Sequence, residues 1–244
     1  LGATLDWGNL TKRADILSIT GIFSPEDADQ LFYGKVGYVA PWCGLGWKWG
    51  VAYSHLDYDV GKDLEVLNIT GESDVFSAFA AYPLIKARDQ NLVALAGLDF
   101  KTYENKLLGV RTSKDEIRTL YVTVEGDKTD RHGKTYGAAT VSQGLGDLFG
   151  GMDDNDPFAS RQGADGQFTK LNVEIGRVQS MGVCSLLLRG SGQLASDSLV
   201  VGEQFAIGGP DSVRGYPQSE YLGDSGYVLS AELRTPFFPK AETL

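Results

Sequence analysis

Few side chains capable of chemistry stand here in the arrangements that chemistry needs. Asp153, Asp154, Asn155 and Asp156 crowd hard oxygen donors of the kind calcium takes. Their spacing lacks the glycine and distal glutamate of a calcium-binding helix-loop-helix, so a solvated loop is the expectation. His55 and Asp57 share one face of an extended segment, but no nucleophile with a base partner accompanies them. Cys43, Cys184, His55 and His132 show no metal-ligand spacing, and no Gly-Lys phosphate loop is present. The "NIT" at Asn68 matches the pattern of a glycosylation acceptor. The residues therefore predict no catalytic site, no metal and no cofactor. One group remains. Arg214 stands in "GGPDSVRGY", flanked by Gly208, Gly209 and Gly215, ahead of Asp224, Gly226 and a regular alternating run. Glycine permits tight turns and close backbone approach. Arginine offers a planar fork of donors that stays charged at any ordinary pH and binds a carboxylate in a bidentate way.

What positions such an arginine is a chain dominated by period two. In "NLVALAGLDF" Leu92, Ala94, Ala96, Leu98 and Phe100 share a face opposite Gly97 and Asp99. In "KLNVEIGRV" Leu171, Val173 and Ile175 oppose Lys170, Asn172 and Glu174, and in "YVLSAELRT" Tyr227, Leu229, Ala231 and Leu233 oppose Ser230, Glu232 and Arg234. A strand sends successive side chains to opposite faces, so each run has one apolar and one polar face. The runs fall at roughly 1–7, 14–23, 30–40, 45–59, 73–85, 91–104, 115–126, 134–145, 167–179, 183–195 and 225–237, which makes about eleven strands.

Two architectures carry this pattern: a soluble sandwich with its apolar faces inward and a membrane barrel with them outward to lipid. Many runs exceed the about 5–6 residues of a soluble strand and reach the about 9–11 of a membrane strand. Short connectors such as "PWCGLG", "KARDQ" and "QSMG" alternate with long ones such as "NKLLGVRTSKDE" and the stretches 145–166 and 196–225, with "GDKTDRHGK" the least tidy short turn. Trp42, Trp47, Trp49, Tyr53, Tyr58, Tyr82, Tyr103, Phe237 and Phe238 sit near strand ends, where a lipid–water boundary favours rings with a polar tip. The fold expected is all-β, an antiparallel transmembrane barrel.

Composition agrees. The chain has 244 residues; Gly is abundant at 31 and aromatics reach 11%, while Pro is only 8 and Met 2, which favours strands and turns over long helices, and the formal net charge is −10. That charge makes nucleic acid a poor partner. No apolar stretch reaches the about 18 residues of a membrane helix. Both ends look cut, at "LGATLDWGN" and "PKAETL".

"FAIGGPDSVRGY" followed by "GDSGYVLSAELRTPF" resembles the signature of the two-partner secretion transporters, outer-membrane proteins that export haemolysins and filamentous adhesins. The marker tetrapeptide of their superfamily, which also contains the barrel-assembly insertases, is here Val213-Arg214-Gly215-Tyr216. "LGATLDWGNL", "VAYSHLDYDV" and "AYPLIKARDQNLVALAGLDFKTYEN" resemble the secretion branch, and the resemblance spans essentially all of residues 1–244.

The resemblance implies a fragment of about eleven strands from a sixteen-stranded barrel, with residues 196–225 as the sixth surface loop. It places periplasmic peptide-binding (POTRA) repeats before Leu1 and closing strands after Leu244. It implies that the loop dips into the lumen and that Arg214 pins it to the inner wall. The family's usual wall partner lies on a later strand; within this chain the candidates are Asp99, Glu125, Glu174 and Glu232. Asp224 and Gly226 are expected to shape the loop's exit. The function implied is a monomeric pore in the bacterial outer membrane, in contact with its lipid, passing an unfolded exoprotein to the surface without nucleotide hydrolysis. An insertase for other barrels is the alternative, and a simple diffusion porin is disfavoured by the tetrapeptide.

Overall fold

The computed structural model describes residues 1–24, 31–42, 44, 46–60, 68–153, 156–210 and 212–236. Eleven strands join into one antiparallel sheet in sequence order. They are β1 (Gly2–Gly8), β2 (Ile16–Phe23), β3 (Leu31–Trp42), β4 (Trp47–Val60), β5 (Ile69–Lys86), β6 (Gln90–Leu107), β7 (Val110–Asp130), β8 (Gly133–Gly144), β9 (Thr169–Met181), β10 (Cys184–Ala195) and, across the long loop, β13 (Gly226–Arg234). Two short strands inside that loop, β11 (Phe205–Ile207) and β12 (Tyr221–Gly223), pair only with each other. β1 and β13 each have a single neighbour, so the described sheet is open at both edges.

The register puts every alternating run on one continuous face. Leu98 aligns with Leu120 and Ala96 with Val122 across β6 and β7, Val141 with Leu171 across β8 and β9, and Ile175 with Gly190 and Leu229 across β9, β10 and β13. Among the described residues no second sheet covers this face. Val122, Val173, Ile175, Leu229 and Leu233 are all exposed. Among the described residues most of the buried apolar side chains, Ile117 of β7 with Met152, Ala164, Phe168, Leu199 and Val200, form a small cluster between the wall and the loops instead. A sandwich would bury the striped face; a single curved sheet that shows it to its surroundings is a membrane barrel wall.

The other face is the lumen. Trp47 and Tyr82 stack at 4.8 Å on the outer face, beside Trp42 and Trp49, as an aromatic band near the short turns. Tyr58 and Tyr103 do not join a band. The Tyr58 hydroxyl donates to Asn105 at 2.8 Å and Tyr103 packs on Gly202, both on the lumen side, because their parity along β4 and β6 matches that of the inward residues. Phe237, Phe238, Cys43, Asp154 and Asn155 lie outside the described residues.

One expected loop is not a loop. The segment "NKLLGVRTSKDE" continues β6 and β7 through a tight turn at Leu108 and Gly109, with φ of 53° and 76°. Two positive φ values in succession match the twist of a two-residue hairpin. β5, β6 and β7, at 18, 18 and 21 residues, therefore run well past the length a bilayer requires. The extension carries charge on its outer face, with Lys106 bonded to Glu72 and Arg111 paired with Glu104. Apolar alternation stops there because both faces meet water.

Candidate functional site

The loop between β10 and β13 enters the concave side of the sheet. Its tip is a compact turn built by the glycines. Gly208, Gly209 and Gly215 take φ of 122°, 95° and 94°. A Cβ on Gly208 would lie 2.3 Å from the Pro217 carbonyl oxygen, so this backbone approach requires glycine. The Ser212 hydroxyl accepts from Gly208 N and donates to Gly208 O, both at 2.8 Å, and Gly209 N donates to Tyr216 O at 3.2 Å. This turn presents Val213, Arg214, Gly215 and Tyr216 at its end.

Arg214 Nη2 donates to Glu232 Oε2 at 3.0 Å. Glu232 faces the lumen on β13, and its other oxygen accepts from Arg234 Nε at 2.7 Å. Glu232 lies six residues beyond Gly226, which puts the contact about 20 Å along the strand from the loop's exit at the usual rise per residue. The Arg214 side chain is 75% exposed in this open sheet. Of the four candidate carboxylates, only Glu232 meets Arg214. Asp99 faces the lumen on β6 but sits near Lys101 and Glu203. Glu125 and Glu174 also face the lumen, and Glu174 and Arg189 line a cavity of about 420 Å³ between the loop tip and the wall.

A second attachment, absent from the sequence reading, holds the loop's shoulder. Glu203, in a single 3-10 turn at Val201–Glu203, has a side chain 1% exposed. Its Oε1 accepts from Lys101 Nζ at 2.7 Å and its Oε2 from Lys170 Nζ at 2.5 Å. Lys101 is on β6 and Lys170 on β9, three strand spacings or about 14 Å apart in the sheet. Their convergence on one carboxylate shows the sheet wrapping around the loop. Burial alone would raise the Glu203 carboxyl, but the two ammonium groups outweigh it and hold the group below its ordinary value. Gln193 on β10 donates to the Glu203 carbonyl at 3.1 Å and to the Asp224 carbonyl at 3.0 Å, and is itself oriented by Asn172 at 2.7 Å.

Asp224 closes the loop's exit. Its Oδ1 accepts from Arg161 Nη1 at 2.5 Å, Leu199 N at 3.0 Å and Gln204 Nε2 at 3.2 Å. Partial burial opposes its ionisation, yet the Leu199 amide, Arg161 and Gln204 together keep the carboxyl below its ordinary value. Arg161 belongs to the loop after β8, so this one carboxylate ties two surface loops together. Gly226 follows as the first residue of β13, where a Cβ would meet the Phe205 ring at 2.9 Å.

The whole chain, residues 1–244, matches the family described as haemolysin secretion/activation protein ShlB/FhaC/HecB. The chain belongs to this family. Its members are outer-membrane two-partner secretion proteins. Among curated relatives, the heme/hemopexin transporter protein HuxB of Haemophilus influenzae is 22% identical over 238 residues, covering 96% of this chain. The chain spans only 41% of that relative's length. Among solved structures, CdiB from Escherichia coli superposes with a TM-score of 0.81 at 21% identity, over 96% of this chain and 44% of that one. CdiB from Acinetobacter baumannii gives 0.72 at 16% identity, over 95% and 42%. Those likenesses fix the fold: eleven strands of a larger family barrel.

Glu203 was open to detection before the structure. It is the one charge inside "SLVVGEQFAI", and a carboxylate in so apolar a segment requires a cation. Which cation was not readable, because Lys101 and Lys170 lie 102 and 33 positions away.

Proposed function

We propose that the complete transporter moves an unfolded exoprotein of the haemolysin or adhesin type through this lumen to the cell surface. The observation that carries the proposal is the loop held against the inner wall by Arg214 and Glu232, in a chain of the secretion family. In this reading the tip occupies part of the path and its position sets the lumen's working shape. The exposed Arg214 pair contributes little to barrel stability, since solvent screens it, and acts by position. The free energy for export comes from folding outside the cell, with no nucleotide involved. The named relative transports heme/hemopexin; for this chain the substrate class proposed is a large secreted polypeptide.

The test is export of the partner exoprotein, normalised to transporter in the outer membrane. Arg214→Ala is expected to leave the barrel folded, judged by heat-modifiable electrophoretic mobility, and to cut export strongly. Arg214→Lys is expected to rescue poorly, because the charge survives but the planar fork does not. Normal export by the Ala variant at equal transporter level would remove the loop contact from the mechanism.

A further inference from the structure

Arg118 has a position that needs explaining. Its neighbours in β7, Ile117 and Thr119, face the lumen, so Arg118 faces outward. It aligns with Phe100 on β6, which aligns with Phe76 on β5, and this row lies at the upper limit of the apolar band. Above it come Thr102 and then charge, the outward positions including Glu104, Lys106, Lys114 and Glu116. A guanidinium in that row would meet acyl chains. Yet the Arg118 side chain is only 11% exposed.

The loop after β8 covers it. β7 outruns β8, and this loop supplies backbone partners to the bare edge: Leu145 N donates to Arg118 O at 2.9 Å and Met152 N to Glu116 O at 2.8 Å. Between those two points, residues 146–151 fold out over the external face. Arg118 Nε donates to Phe149 O at 3.3 Å and Nη2 to Gly150 O at 3.1 Å, while Nη1 donates to Lys101 O at 2.9 Å. The guanidinium stacks over the Phe100 ring at 5.5 Å. Phe149 meets Phe100 edge-on at 6.3 Å, and its φ of 56° is a conformation a bulky residue rarely adopts without a constraint. The result places Leu148 and Phe149, 55% and 70% exposed, where the charge would have been.

We propose that Leu148 and Phe149 form a wedge seated in the outer leaflet at the top of the acyl-chain region, with Arg118 as the positioning residue that holds it. The occupant is lipid because the wedge continues the lipid-facing row through Phe100 without a gap. An apolar finger at that depth gains free energy by leaving water, and it hides a charge that lipid would penalise. A wall residue thereby fixes a surface loop whose far side reaches Asp224 through Arg161.

The test uses the complete transporter, free of other cysteines, in phospholipid vesicles. A nitroxide is attached at Phe149→Cys, with Val122→Cys as the lipid-facing reference and Gln162→Cys as the aqueous one. Accessibility to oxygen against a water-soluble nickel chelate is read by power saturation. The expected oxygen preference at 149 is close to that at 122 and several-fold above that at 162. A value matching 162 would overturn the wedge. Arg118→Ala is then expected to move position 149 toward the value at 162 while position 122 stays unchanged, which also reports an intact wall. Position 149 staying oxygen-preferring in that variant would overturn the role of Arg118.

Discussion

Replacing Glu203 by Gln tests whether the loop's shoulder is held by charge. In the native protein one carboxylate, 1% exposed, bridges two ammonium groups that are 18% and 12% exposed. Gln keeps the shape but leaves both lysines without the carboxylate they bond, with Asp99 as the remaining nearby counter-charge, in a space that the loop closes to water. Removing one partner of a buried pair costs about 3–5 kcal/mol, most of it the stranded charge. The penalty falls on loop closure, because lysines on β6 and β9 regain water when the shoulder lifts. Since about 1.4 kcal/mol is tenfold, the open population should rise by about 100-fold or more. Hydrogen exchange of the 196–207 segment, in the complete transporter in nanodiscs, reads this directly. Exchange there should accelerate, while the β9 and β10 ladders hold. The triple variant Lys101→Met, Lys170→Met and Glu203→Gln removes the three bonded charges and should recover most of the protection. Unchanged exchange in Glu203→Gln would refute the electrostatic account, and so would a triple variant as loose as the single one.

The same network has an acid limit. A carboxyl held below its ordinary value stabilises the closed loop fully above that value, near 4.5 for Glu203 and 3.8 for Asp224, and loses the stabilisation as pH falls through the lower folded value. Protection of the 196–207 segment should therefore be flat from neutral pH to about 5 and collapse only in stronger acid, with no such collapse in Glu203→Gln beyond what Asp224 contributes. On the wall, Val122→Arg should destabilise the barrel by about 2–4 kcal/mol if the position lies near mid-membrane, measured by urea unfolding in lipid; Thr123→Arg, one residue on and facing the lumen beside Thr140, should cost much less.

The wall was legible in the sequence because a strand's side-chain period is fixed by covalent geometry. Alternation puts Leu98, Val122, Val173 and Leu229 on one apolar face, since a shift by one residue would put Asp99, Glu174 and Ser230 there instead, and strand length and connector asymmetry turn that face to lipid. The eleven strands follow from the same repeat, and the loop's glycines announced a tight turn around Arg214. Alternation failed where the environment stopped being two-sided. The β6–β7 hairpin stands in water on both faces, so its polar sequence read as a loop. Tyr58 and Tyr103 read as interfacial rings because a tyrosine near a strand end suits either face, and only register decides between them.

Sequence by itself determined the local terms: which residues alternate, where the chain turns, and that an arginine would sit at the end of a glycine turn. Tertiary structure decided what those residues meet. Arg214 lies 18 positions from Glu232, Glu203 lies 102 positions from Lys101, and Arg118 is roofed by a loop that starts 27 positions later. Each of these contacts depends on how far the sheet curves and how deep a loop descends. Neither quantity is encoded in any one segment, because both arise from the summed twist and register of all the strands between the partners.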